Sequence, residues 1–175
     1  MPGRFPPPVW LAPLLVAATV AAPAQAAPCR AGATDRSAVV CELNAARAGA
    51  GLGPLQSRPS LAEAARAHAD DMVVRQFFSH VSPEGESAAT RARRAGYLRN
   101  AERWRIGEVL IWRRGGTPLT AAAAVTAWLG SPSHRQILLS PRYRDVGAGV
   151  VAGAPFGDPA RAPAATFTVV FGRRD

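Results

Sequence analysis

Apolar residues recur along this chain first at helical spacing and later in alternation. From position 35, Val39, Val40, Leu43 and Ala46 fall on one face of a helical repeat, with Thr34 or Asp35 able to cap its start and Gly49 to end it. Gly51-Leu52-Gly53-Pro54-Leu55 has the chemistry of a tight turn. Ser60 and Glu63 stand at capping-box spacing and predict a second helix reaching Gln76, its apolar face carrying Leu61, Ala64, Ala65, His68 and Met72. Residues 77–85 leave that helix as a loop, and a third helix from Ser87 should stop at Gly96. Residues 106–112 read as extended or mixed. Thr117 and Pro118 predict a helix start, with Val125, Trp128 and Leu129 inward, and Ser131-Pro132 opens a shorter helix that carries His134. Residues 146–151 and 166–171 alternate as strands do, joined by a loop rich in Pro, Gly and Ala. Helices followed by strands predict an α+β domain with a small antiparallel sheet packed against helices.

The first residues do not belong to that pattern. Arg4 precedes an apolar run over 9–22, and Ala24-Gln25-Ala26 offers the small-x-small site of a signal peptidase. The run is short for a bilayer span, which needs about 20 apolar residues. Residues 1–26 are therefore expected to be a removed export signal, leaving no membrane span. The chain has two cysteines, Cys29 and Cys41, and an even count in an oxidising compartment predicts one disulfide tying the segment 27–34 to the first helix. Residues 35–175 then form one domain, expected to act as a monomer.

Composition changes this picture little. The formal charge is +9, yet all 21 basic residues are arginine and they are spread along the sequence with only short pairs such as Arg93-Arg94. No basic stripe interleaved with aromatics and no nucleic-acid motif accompanies them, so nucleic acid is not expected as a partner. Attraction to anionic polymers of the cell envelope follows from the charge alone.

Short pieces spread along the chain resemble, in order, the bacterial CAP (SCP-like) superfamily of secreted proteins. They begin with Leu43-Asn44-Ala45-Ala46-Arg47 and the Gly51–Leu55 turn, then Ala65-Arg66-Ala67-His68-Ala69-Asp70-Asp71-Met72 leading to Phe78-Ser79-His80-Val81-Ser82-Pro83-Glu84-Gly85. Arg94-Ala95-Gly96-Tyr97, Gly107-Glu108, the run from Trp128 to Arg135, Gly147-Ala148-Gly149-Val150 and Phe171-Gly172 follow. The resemblance implies a three-layer α-β-α sandwich with a central cleft holding His80 and Glu108, and His134 on its far wall. Two positions depart from the family pattern: Val109 and Ile137 stand where an Asn is usual, each replacing a hydrogen-bonding side chain with an apolar one.

Two imidazoles and a carboxylate suit a divalent ion such as zinc with an open position, or acid–base chemistry near neutral pH. They lack the helix-spaced His-Glu-x-x-His pattern, and no serine elbow or unpaired cysteine offers a nucleophile. Each also has a plain structural reading. His80 ties a loop, Glu108 is a buried carboxylate partnered by His80 or an Arg, and His134 packs or caps a short helix. His68, on an apolar face, is read as a satisfied core histidine. Two functions remain open: a secreted module binding a lipid, glycan or protein at the cell envelope, and a metal-dependent, peptidase-like hydrolase using the same cleft.

Overall fold

The computed structural model describes residues 3, 28–115, 119–157 and 163–175. The export signal expected over 1–26 (position 3 apart) and part of the Pro-rich loop lie outside them, and the helix expected to start at Thr117-Pro118 starts instead at Ala121, with Thr120 as its cap. Helix α1 spans Arg36–Gly49, and Asp35 is its cap, accepting from the N–H groups of Ser37 and Ala38 at 2.9 and 3.0 Å. Cys29 is bonded to Cys41 on α1.

Strand β1 is only Gln56–Ser57, and α2 follows over Pro59–Val74. Here the expected capping box does not form: Arg58 takes the cap position without a side-chain hydrogen bond, and Pro59 starts the helix. Its ring fixes φ where no N–H is needed and holds the preceding residue extended, so Ser60 is already inside the first turn. The helix also stops two residues short of Gln76. Gln76 turns left-handed (φ 56°), and the Phe77 N–H closes back on the Met72 carbonyl at 3.1 Å.

Helix α3 (Ala88–Arg94) is capped by Ser87, and Gly96 follows at φ 81°. The segment read as extended or mixed is a full strand, β2 (Trp104–Arg114). Helix α4 (Ala121–Gly130) is capped by Thr120, and α5 (Pro132–Leu138) carries His134. Strands β3 (Asp145–Ala152) and β4 (Ala164–Arg174) complete a sheet of order β1-β3-β4-β2. The three long strands are antiparallel, as expected, and the two-residue β1 adds a parallel pair at one edge.

Strand alternation sends the sheet's side chains to two layers. On one face Val109, Val146, Ala148, Phe167, Val169 and Phe171 join Val39 and Leu43 of α1 with Val125 and Trp128 of α4 in the larger core. On the other face Val170 packs with Leu61 and Ala65 of α2, Ala92 of α3, and Tyr97. The α2 layer lies unusually close to β3. A Cβ on Gly149 would fall 2.4 Å from the Arg66 backbone nitrogen, and one on Gly147 would fall 2.1 Å from that of Ala62. The result is the α-β-α sandwich expected from the resemblance. No helix among the described residues is long and apolar enough to cross a membrane.

Candidate functional site

The loop after α2 is held at both ends. Arg75 binds Asp71 on its own helix at 2.7 Å and Glu84 across the loop, and that guanidinium brings the Glu84 carboxyl down to about 2. At the far end the Ser82 hydroxyl accepts the Glu86 N–H, and Gly85 turns at φ 86°. Ser79 Oγ likewise accepts the Val81 N–H, so both serines brace the loop. Between these anchors the loop presents His80.

Glu108 is on β2, on the face opposite Val109. Both of its oxygens are occupied: Oε2 accepts from His80 Nδ1 at 2.9 Å, and Oε1 accepts from Arg91 Nη2 at 2.8 Å. The Glu108 and Arg91 side chains are each 3 % exposed, whereas the His80 side chain is 56 % exposed. Arg91 also donates to the carbonyls of His80 (3.1 Å) and Glu86 (2.7 Å). One buried guanidinium thus fixes the loop at two points and the carboxylate at a third. A buried pair of this kind holds its geometry only while every partner is present. Arg91 is the site residue that sequence reasoning missed. The inference that Glu108 needs His80 or an Arg was sound, and the structure supplies both.

His134 does not join this hydrogen-bonded group. It is half-buried near the start of α5, and its imidazole is pushed down by burial and then by the nearby His80. Among the described residues no set of three His, Cys, Asp or Glu side chains is placed to hold a metal ion.

His68 is fully buried, and its Nε2 meets the Ser79 carbonyl at 2.9 Å, so it too positions the loop. Its Nδ1 has no protein partner, which leaves it half satisfied rather than satisfied. Burial pushes its imidazole below the ordinary histidine value, with Glu108 acting in the opposite sense.

A depression of about 420 Å³ opens beside His80 and Glu108, lined also by Val81, Ala88, Trp104 and Ile137. Of the two departures from the family pattern only Ile137 reaches it, because Val109 is fully buried in the opposite layer. Val81 (46 % exposed) and Trp104 (43 %) make its mouth apolar. Arg47 holds the Ile137 wall in place: it is buried and donates to the carbonyls of Leu138 and Ser140 at the end of α5 and of Gly53 in the first turn. A separate slot of about 360 Å³ lies across the molecule between α1 and α2, lined by Arg36, Glu63, Arg66 and Ala148.

Residues 40–171 match the family model described as the cysteine-rich secretory protein family, CAP. The chain is 33 % identical over 115 residues to the uncharacterised protein YkwD of Bacillus subtilis, spanning 64 % of this chain and 41 % of that one. It is similar in fold to an extracellular protein containing an SCP domain from Bacillus anthracis (TM-score 0.64, 24 % identity, 79 % of this chain and 40 % of that one). An outer surface protein from Borrelia burgdorferi is similar as well (TM-score 0.61, 19 % identity, 79 % of this chain and 92 % of that one). The chain spans less than half the length of the curated relative and of the first of these two structures.

Proposed function

Because the chain belongs to the cysteine-rich secretory protein (CAP) family, we propose that it is an exported, monomeric module that binds a cell-envelope ligand in the His80–Glu108 cleft. The observation that carries this reading is the full engagement of Glu108. A general acid or base must have a free lone pair or proton within reach of a reacting atom. Here each Glu108 oxygen already accepts a hydrogen bond, one from Arg91 and one from His80, and the side chain is 3 % exposed, so the carboxylate is not presented to a ligand. What remains for a ligand is the His80 ring edge, the indole of Trp104 and the apolar wall of Ile137 and Val81, a mix suited to recognition. Export is supported by the Cys29–Cys41 disulfide, by the apolar run over 9–22 with its Ala-Gln-Ala site, and by relatives described as extracellular or outer-surface. The hydrolase reading draws less support, since among the described residues no group of three His, Cys, Asp or Glu side chains is placed to hold a metal ion.

Cosedimentation with purified bacterial cell-wall sacculi tests the proposal. The wild-type chain should pellet with sacculi and release no soluble sugar or peptide, with or without added zinc. Ile137→Glu, which places a charge in the cleft wall, should stay in the supernatant while keeping its circular dichroism. Zinc-dependent release of soluble fragments would replace the binding module with the hydrolase.

A further inference from the structure

The arginines, scattered in sequence, are gathered by the sheet. Strands β2 and β3 both run antiparallel to β4, so the starts of β2 and β3 and the end of β4 meet at one end of the sheet, with Trp104 opposite Arg174 and Arg105 opposite Arg173. Each of those three segments is arginine-rich. Arg103, Arg105 and Arg142 are exposed and make no ion pair among the described residues. Arg173 reaches Asp175, at 3.4 Å, the one acid among the described residues that line the hollow at this end.

This cationic end is continuous with the cleft. The cleft depression shares Ile137 with a neighbouring hollow of about 610 Å³ and Trp104 with another of about 450 Å³, and those two share Arg105 and Arg142. The three adjoining hollows thus form a furrow-like row from His80, past Trp104, to Arg173. Its first part is weakly polar and its second part strongly basic. Trp104 stands at the junction, with the Arg93 guanidinium 5.9 Å from its ring centroid.

We propose that the ligand is a linear acidic glycan: its sugar rings lie on Trp104 and in the His80 cleft, and its anionic groups run over Arg103, Arg105 and Arg142. This deepens the binding-module reading and rests on it. A concave track suits a chain rather than the flat surface of a bilayer. Sequence-tolerant single-strand nucleic-acid binding uses a series of aromatic platforms, whereas Trp104 is the one exposed aromatic along this furrow among the described residues. Arginine forks match carboxylate geometry, and such pairs at a solvated surface are individually weak, so several must act together.

The test titrates the full chain with an oligogalacturonate long enough to span the furrow and with its neutral methyl ester, at low and moderate salt. The acid should bind about tenfold or more tightly than the ester, and affinity should fall as salt rises. Arg103→Ala/Arg105→Ala/Arg142→Ala should lose about tenfold and show a flatter salt dependence. His80→Ala and Trp104→Ala should weaken both acid and ester. Equal binding of acid and ester, no binding of the acid at low salt, or tighter binding of oligothymidylate or phosphatidylglycerol vesicles would overturn the proposal. If the triple variant binds normally while His80→Ala is impaired, the glycan inference fails and the cleft reading stands. If the triple variant alone is impaired, the arginine end binds without the cleft, and the cleft reading fails.

Discussion

At the scale of single residues, Glu108 lies between a partner as buried as itself and a partner largely in solvent. Removing one member of a buried ion pair strands the other charge, at a cost of about 3–5 kcal/mol, whereas losing an exposed partner costs about 1 kcal/mol or less. Arg91→Met should therefore lower the unfolding free energy by about 3–5 kcal/mol in urea titrations, and His80→Ala by under about 1 kcal/mol. Equal losses would mean that His80 holds the site as firmly as Arg91 and would contradict this ranking. His68 gives a pH prediction. Burial keeps its folded-state proton affinity below the ordinary value, and His134 is shifted in the same direction. The unfolded chain thus binds protons that the folded one does not. The stability contributed is complete above a pH of about 6.5 and is lost as pH falls from there through the lower folded-state values. Unfolding midpoints measured between pH 8 and 5 should decline on the acid side, and His68→Gln should remove part of that slope. A decline unchanged in His68→Gln would contradict it. His80 and Glu108 were legible in the sequence because each stands inside a short recognisable run. Arg91 was not: it is one of 21 arginines, and its only signal is that it shares a helix face with Ala88 and Ala95.

Among the elements, the α2–β3 contact does most to set the sandwich. Two glycines on β3 bring the α2 backbone against the sheet, which seats His68 and the base of the His80 loop. Gly149→Ala puts a methyl group where the Arg66 backbone already is, and backbone cannot swing aside as a side-chain tip can. Overpacking of this kind costs about 1–3 kcal/mol or more, and thermal denaturation should show it as a lowered midpoint. A wild-type midpoint would mean that α2 can lift without penalty. Breaking the disulfide with Cys29→Ser/Cys41→Ser opens a short loop, with sequence separation 12, and should cost about 3 kcal/mol on the chain-entropy view. The unaltered cleft should still bind. The helices and strands β3 and β4 were legible because each carries a full period of apolar positions, whereas β2 showed only as an extended or mixed segment. Strand β1 was not, since two residues carry no period. The start of α2 was misplaced because two start signals overlap, and Pro59, one residue ahead, prevailed over Ser60.

Over the whole molecule, the fold does what the linear sequence conceals. Arg103, Arg105, Arg142, Arg144, Arg173 and Arg174 look dispersed until antiparallel pairing brings their segments to one end of the sheet beside the cleft. The same folding separates Val109 from Ile137, so that one departure from the family pattern strengthens the core and the other shapes the ligand wall. The most direct test of the central claim is to map, by amide chemical shifts of the isotope-labelled chain, where solubilised cell-wall glycan fragments bind. The shifts should concentrate at His80, Val81, Ala88, Trp104 and Ile137 and extend toward Arg105 and Arg142. Shifts centred instead on Arg36, Glu63 and Arg66, in the slot between α1 and α2, would contradict the assignment of the His80–Glu108 cleft as the binding site.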